Sequence, residues 1–120
     1  MDRAALRERL EAVVGASGVI ADPTDLLVYE YDASDEAIAG RHRPDFVVLP
    51  QSTAQVAEVV RLAREYGLPV TPRGAGTGLA GGAIAARGGI MVVMTRMNRI
   101  IEINERDRYA IVEPGVINLE

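Results

Sequence analysis

The residues of this chain best suited to chemistry form a glycine-rich run from Pro72 to Gly82. Seven of the twelve glycines lie between positions 74 and 89. Glycine has no side chain to block close approach, so successive backbone N–H groups in such a run can surround an anion. The Thr77 hydroxyl and the Arg73 guanidinium add donors that suit phosphate oxygens. The run therefore predicts a site for the phosphates of a nucleotide or dinucleotide.

We expect the main contacts to come from backbone N–H groups, because these do not depend on a side-chain rotamer. The predicted cofactor-binding residues are Pro72, Arg73, Gly74, Ala75, Gly76, Thr77, Gly78, Leu79, Gly81 and Gly82. Two interpretations of Arg73 stay open: a cation that faces pyrophosphate or substrate, or a structural arginine that pairs with a carboxylate such as Glu113. A connection without a ligand is the competing interpretation of the whole run, but it leaves the entropic cost of ordering so many glycines without compensation.

Three of these glycines, Gly76, Gly78 and Gly81, satisfy the G-x-G-x-x-G spacing of nicotinamide-dinucleotide sites. Such a site requires a long helix that begins within the motif. Here only residues 83–87 separate the run from the next pair of glycines, which is little more than one helical turn. We therefore reject a Rossmann site and expect a phosphate-binding loop of another kind.

Composition excludes several other functions. All 13 basic residues are arginine, so a Schiff-base lysine and a Walker-type phosphate lysine are ruled out. The chain has no cysteine, which rules out disulfides, thiolate nucleophiles and cysteine-ligated metals within it. A net charge of −4 with 4% aromatic residues gives no support to a nucleic-acid surface. No apolar run approaches the roughly 18 residues of a membrane helix, and we expect a cytoplasmic protein.

The remaining titratable candidates give no catalytic or metal site. His42 lies between two arginines, and a solvated loop residue is its simplest interpretation. We interpret Asp32, Asp35 and Glu36 as solvated charges, because no second group offers them a metal-ligand or acid–base partnership. No catalytic residue and no metal ligand is predicted.

The elements that would position the loop form a strand, a helix and a second strand. The apolar run 46–49 has the length of a buried strand. Ser52 and Gln55 form the capping box of a helix that Gly67 ends. The second strand, residues 68–71, leads into the glycine-rich run. Such a unit implies a right-handed crossover and a parallel pair of strands.

The flanking segments give weaker signals. Residues 2–14 have the apolar spacing of a surface helix, whereas residues 19–34 are compatible with a helical turn or with extended chain. Three further strands are predicted: 90–94, 100–103 and 109–112. The last two flank a polar turn and suit a hairpin. Residues 116–120 are typical of the opening turn of a helix, with no stop signal after it, which suggests a truncated chain.

Several segments carry a family resemblance: residues 44–52, the helix that ends at Gly67, residues 68–70, residues 72–78, and the pair Gly81-Gly82. They resemble the FAD-binding domain of the vanillyl-alcohol oxidase and p-cresol methylhydroxylase (PCMH) type. Residues 97–100 and 112–116 are also similar to the FAD subunit of bacterial glycolate oxidase and to the related D-lactate dehydrogenases. The resemblance covers roughly residues 19–120.

The resemblance implies an α+β fold, the N-terminal half of a PCMH-type FAD-binding domain, in which a strand-helix-strand unit is followed by the glycine-rich loop and further strands. It divides the chain into an N-terminal helical and irregular segment, 1–42, and the FAD-binding domain, 43–120, incomplete at its C-terminus. FAD would be held by the backbone amides of the loop. Some members attach FAD covalently through a histidine in or beside this loop, but His42 lies outside it, so noncovalent binding is expected.

For a complete enzyme, the resemblance implies oxidation of a 2-hydroxy acid of the glycolate or D-lactate type by hydride transfer to the flavin. Substrate-binding and catalytic groups would come from a second half of the FAD domain and a cap domain, and an iron–sulfur subunit is a further implied partner. The chain alone is then not expected to be active. The alternative is a noncatalytic, truncated or complementing half-domain that binds FAD weakly or not at all. A reductase of cell-wall precursors, built on a similar FAD domain, also stays open.

Overall fold

Four strands form one mixed sheet in the computed structural model, which describes residues 2–29, 43–74 and 88–117. The strands are β1 (Val19–Ile20), β2 (Phe46–Val48), β3 (Val70–Arg73) and β4 (Ile90–Val93). Their order across the sheet is β1, β2, β4, β3. Strands β2, β3 and β4 run parallel, and β1 pairs antiparallel with β2.

Strand β4 lies between the two strands of the strand-helix-strand unit. All residues of β2 and β4 are buried, whereas β3 alternates between exposed and partly buried positions and contains Pro72. Proline cannot donate to a strand ladder, which favours an outer position for β3, and the fully apolar β4 takes a central one. The prediction that β2 and β3 form a pair was therefore wrong. They are parallel to each other, but each pairs with β4.

Two helices cover one face of the sheet. They are α1 (Arg3–Val14), as predicted for residues 2–14, and the 13-residue helix of the unit, Thr53–Glu65, which we call α3. Their buried side chains form one cluster with alternate residues of the strands: Leu6, Leu10, Val59, Leu62, Phe46, Val48, Ile90 and Val92. This cluster is the larger part of the core.

The opposite face is covered by a short N-terminal segment. It consists of α2 (Pro23–Leu26) and the 3₁₀ turn Leu27–Tyr29. A second cluster of Leu26, Val47, Met91 and Val93 lies beneath it, and Tyr29 packs against this cluster. The segment 19–34, which the sequence left open, thus contains both a strand and helical turns, while residues 30–34 lie outside the described residues.

Local signals at the start of α3 behave nearly as predicted. The Ser52 hydroxyl accepts a hydrogen bond from the backbone N–H of Gln55 at 3.2 Å. The Gln55 side chain reaches back one residue further than in a regular capping box, because its Oε1 accepts from the N–H of Gln51 at 2.7 Å. The first bond satisfies a donor in the first turn that the helix itself leaves unpaired, and the second satisfies the donor of the residue before the N-cap.

Gly67 ends the helix as predicted, with a φ of 67°. The Leu68 N–H donates to the Ala63 carbonyl at 2.8 Å, and the Gly67 N–H donates to the Arg64 carbonyl at 3.2 Å. This pair of bonds is a Schellman motif. Because Leu68 is used in the motif, β3 begins at Val70, two residues later than the sequence predicted.

The hairpin is confirmed as β5 (Ile100–Asn104) and β6 (Tyr109–Val112), which form a separate two-stranded sheet. Its apolar side chains are largely exposed: Ile101 is 62% and Ile103 is 64% accessible. The helical turn predicted at 116–120 is absent from Val116 and Ile117, and residues 118–120 lie outside the described residues.

Asp45 and Gly89 connect the amino ends of β2 and β4. The Asp45 carboxylate accepts from the Gly89 N–H at 2.7 Å, and the Asp45 N–H donates to the Gly89 carbonyl at 2.8 Å. Gly89 has a φ of 82°, and a Cβ built on it would lie 2.2 Å from the Pro69 carbonyl oxygen. This position therefore requires glycine for two reasons: its backbone conformation, and the close approach of the Pro69 segment, which leaves no space for a Cβ.

We expect Gly89→Ala to destabilise the fold more than Gly15→Ala. Gly15 has a similar φ of 84°, but its added Cβ would meet no atom within 4 Å. The control thus isolates the backbone strain, about 1–3 kcal/mol, and the clash with Pro69 should add roughly another 1–3 kcal/mol. Urea denaturation of both variants measures the difference. Equal losses of unfolding free energy would contradict the close approach at Gly89.

Candidate functional site

The carboxyl ends of three parallel strands meet at one edge of the sheet. At this edge β3 ends with Arg73 and is followed by Gly74, and β4 is followed by Met94. The Met94 N–H donates to the Arg73 carbonyl at 2.8 Å, which continues the ladder to the last residue of β3. In sheets of this kind ligands bind beyond the carboxyl ends of the strands. The glycine-rich run therefore begins where a ligand is expected.

The described residues include the start of the predicted cofactor site, Pro72, Arg73 and Gly74. The other predicted members lie outside the described residues: Ala75, Gly76, Thr77, Gly78, Leu79, Gly81 and Gly82. Their role in binding stays a prediction from the sequence.

The backbone at Gly74 is open to approach. A Cβ built on this residue would meet no atom within 4 Å. The packing around it therefore does not require glycine, in contrast to Gly89. A main chain without a Cβ, in open surroundings, allows the close approach that a main-chain cradle for phosphate needs. In this respect the described start of the run fits a bound pyrophosphate.

The Arg73 side chain contacts an aromatic ring from the N-terminal segment. Its guanidinium carbon lies 5.5 Å from the centroid of the Tyr29 ring, which is within the usual range of a cation–π contact. Sequence reasoning missed Tyr29 as a neighbour of the site. No local pattern connects two residues that lie this far apart in the chain, so only the fold could bring them together.

The carboxylate considered as a partner for Arg73, that of Glu113, binds Arg99 instead. Its Oε1 accepts from both the backbone N–H and the side-chain Nε–H of Arg99, each at 2.9 Å. The Glu113 N–H in turn donates to the Arg99 carbonyl at 2.9 Å. These bonds close the base of the β5–β6 hairpin. Glu113, which the sequence analysis gave as an example of a carboxylate partner for Arg73, was therefore the wrong example.

The environment of Glu113 favours its charged form. The side chain is only 9% exposed. Hydrogen bonds from the Arg99 side chain and then from the Arg99 backbone lower the pKa of Glu113, and they outweigh the effect of burial. The same pair raises the pKa of Arg99. Glu113 is therefore an ionised anchor of the hairpin, and no proton transfer is expected from it at neutral pH.

The other titratable candidates from the sequence, Asp32, Asp35, Glu36 and His42, lie outside the described residues. Over residues 2–29, 43–74 and 88–117, no group of histidine, aspartate and glutamate side chains could hold a metal ion. Within the same residues, no helix has the length and apolar character needed to cross a membrane.

Comparison with known proteins identifies the ligand. Residues 44–120 match the family described as the FAD binding domain. The chain belongs to this family. FAD is therefore its cofactor, and the glycine-rich run, which begins at the carboxyl edge of the sheet, is the candidate for its phosphate site.

Solved structures show the same fold. The structure of p-cresol methylhydroxylase with bound substrate superposes with a TM-score of 0.77 and 28% identity, covering 94% of this chain and 22% of that one. The 4-ethylphenol oxidase from Gulosibacter chungangensis gives a TM-score of 0.78 and 32% identity over 94% of this chain and 22% of that one. The chain thus has the α+β fold of part of a PCMH-type FAD-binding domain, as the resemblance implied.

Curated relatives include glycolate oxidase and D-lactate dehydrogenase. The glycolate oxidase subunit GlcD of Bacillus subtilis is 35% identical over 115 residues, 96% of this chain and 24% of the relative. That of Escherichia coli is 37% identical over 119 residues, 99% of this chain and 23% of the relative. The D-lactate dehydrogenase of Anaerostipes hadrus is 40% identical over 88 residues, 73% of this chain and 18% of the relative. The chain thus spans less than a quarter of the length of these proteins.

The Glu113–Arg99 pair predicts an acid-sensitive contribution to stability. Because the pKa of Glu113 is lowered in the folded chain, its bonds stabilise the fold above the ordinary glutamate pKa of about 4.3. This stabilisation is lost as the pH falls through the lower pKa of the folded state. Glu113→Gln should therefore reduce stability at pH 7 and flatten the decline in acid.

Urea midpoints measured from pH 7 to pH 3 test this expectation. The matched control is Glu105→Gln on the exposed hairpin turn, which should keep the original pH profile. If Glu113→Gln and the unaltered chain lost stability in parallel over this range, the anchoring role of the carboxylate would be contradicted.

Proposed function

We propose that this chain supplies the FAD-binding part of a flavin-dependent oxidoreductase that oxidises a 2-hydroxy acid of the glycolate or D-lactate type. The proposal is supported by its place in the FAD-binding family and by the names of the relatives that match most of its length. The observation that carries it is the position of Arg73 and Gly74 at the carboxyl edge of the sheet, with open space beside Gly74.

In this proposal the chain binds and orients the cofactor. Backbone N–H groups from Gly74 onward hold the pyrophosphate, and the Arg73 guanidinium adds a positive charge beside it. Attachment is noncovalent, since His42 lies outside the loop. Bound FAD would supply the hydride acceptor for alcohol oxidation. The groups that bind substrate and remove its proton would belong to other parts of a complete enzyme, and an iron–sulfur partner and a cytoplasmic location stay predictions.

The second candidate function is a noncatalytic half-domain that binds FAD weakly or only when another polypeptide completes it. The exposed hairpin favours this candidate. Ile101 and Ile103 on β5 are 62% and 64% accessible, and Ile111 on β6 is 46% accessible. An isolated two-stranded ribbon is only marginally stable in water. The state of the hairpin could therefore limit the amount of binding-competent chain.

Titration of the purified chain with FAD separates the two candidates. Flavin fluorescence anisotropy reports binding, with ADP, FMN and riboflavin as competitors. We expect ADP to displace FAD, because ADP carries the same pyrophosphate, and riboflavin to compete poorly, because it has no phosphate. Failure to bind FAD by a chain that unfolds cooperatively in urea would reject the first candidate and favour the second.

Two substitutions in the glycine-rich run test its role directly. Gly74→Ala should leave the melting temperature unchanged, since its Cβ meets no atom within 4 Å, yet weaken FAD binding about tenfold or more by obstructing the phosphate. Gly76→Val should abolish binding, because a β-branched side chain stands where the phosphate approaches. Thermal unfolding and FAD anisotropy are measured on the same samples. Unchanged affinity in both folded variants would place the phosphate elsewhere.

A further inference from the structure

Tyr29 is fixed to the sheet by its own packing. It ends the 3₁₀ turn that follows α2, and its partly buried ring packs against the cluster of Leu26, Val47, Met91 and Val93. Two of these residues belong to the central strand β4. The ring therefore has a defined position relative to the carboxyl edge of the sheet.

Arg73 is fixed at its backbone, and its side chain reaches this ring. The Met94 N–H holds the Arg73 carbonyl at 2.8 Å, and the guanidinium carbon lies 5.5 Å from the Tyr29 centroid. A cation–π contact uses the flat face of the guanidinium, whereas phosphate oxygens bind the N–H donors around its rim. The two interactions are therefore compatible in one side chain.

A fixed cation binds an anion better than a free one. An arginine side chain has many rotamers, and fixing it on binding costs entropy. If the contact already holds the side chain near its bound position, less entropy is lost when the ligand arrives. Tyr29 is thus suited to prepare Arg73 for the ligand, although no hydrogen-bonding group of Tyr29 needs to touch that ligand.

We propose that Tyr29 is a positioning residue of the cofactor site: its ring holds the guanidinium of Arg73, the residue that precedes Gly74, and thereby strengthens binding of the FAD pyrophosphate. The inference rests on the proposed function of the loop and extends the site to the N-terminal segment. It differs from a purely structural role for Tyr29, which would affect stability without a specific effect on phosphate binding.

A double-mutant cycle between Tyr29 and Arg73 tests the proposal. The variants are Tyr29→Leu, Arg73→Gln and the double substitution, each assayed for FAD and ADP affinity by anisotropy. We expect Tyr29→Leu to weaken both ligands about two- to fivefold, the range of a partly exposed cation–π contact. Tyr29→Leu should have no further effect when Arg73 is already glutamine. Tyr29→Phe keeps the ring face and should restore the original affinity.

A matched control is available on the other face of the sheet. Arg9 lies over the Tyr66 ring at 5.6 Å, a contact similar in kind but located at the end of α3. Tyr66→Leu should leave the affinities for FAD and ADP unchanged. A loss as large as that of Tyr29→Leu would show a general effect of removing a tyrosine, and it would overturn the proposal.

Urea unfolding of the same four proteins tests the contact without any ligand. The effects of Tyr29→Leu and Arg73→Gln on the unfolding equilibrium constant should be non-additive by about two- to fivefold. Additive effects would show that the two side chains do not interact, and this would overturn the proposal.

The outcomes also distinguish this inference from the proposed function. If Arg73→Gln weakens FAD binding but Tyr29→Leu does not, the inference is overturned and the phosphate site stands. If neither substitution matters while Gly76→Val abolishes binding, the loop holds FAD without Arg73, and the inference is again overturned. If the unaltered chain does not bind FAD, both the proposed function and the inference are overturned.

Discussion

Burial of β4 on both faces is the constraint on which the rest of the structure depends. Its four residues are all buried, so each side of the sheet needs a covering layer. Helices α1 and α3 cover one side, and α2 with the 3₁₀ turn covers the other. Residues 2–29 contribute to both layers. Without them, apolar side chains of β2 and β4 would lose their cover on one side and keep only α3 on the other, so these N-terminal residues are part of the core of the sheet that carries Arg73.

The central place of β4 also determines the geometry of the site. At its amino end the strand must pass between Asp45 and Pro69, where only glycine fits. At its carboxyl end it holds the last residue of β3 through Met94. Among the described residues β3 is an outer strand, and the run that follows it starts with open space around Gly74. Close packing thus excludes a side chain at the amino end of β4, whereas Gly74, at the end of the neighbouring strand, has room for one.

Features encoded by neighbouring residues could be predicted from the sequence, and features that depend on distant contacts could not. Ser52 and Gly67 mark the ends of α3 because capping needs only a few adjacent residues. The hairpin and the family resemblance also follow from short segments. The direct pairing of β2 with β3 was predicted wrongly, because β4 joins the sheet between them from a later part of the chain. The pairing of Glu113 with Arg99, and the contact of Tyr29 with Arg73, likewise depend on the fold.

The hairpin and the four-stranded sheet meet at the carboxyl end of β4, where Gly115 lies against Met94 and donates a hydrogen bond to the Met97 carbonyl. The predicted site begins with Arg73 and Gly74 after the four-stranded sheet, whereas β5 and β6 form their own sheet, anchored through Glu113 and Arg99. Loosening of the hairpin would therefore expose more apolar surface and lower stability, and through Met94 it would also affect the residue that holds the Arg73 carbonyl. A low FAD affinity caused by the hairpin would reflect the fraction of folded chain, whereas one caused by the loop would persist when every molecule is folded. Measuring FAD affinity and unfolding free energy on the same samples therefore distinguishes two causes of weak binding. One is a chain that is partly unfolded because nothing covers its hairpin, and the other is a folded chain whose loop does not bind FAD.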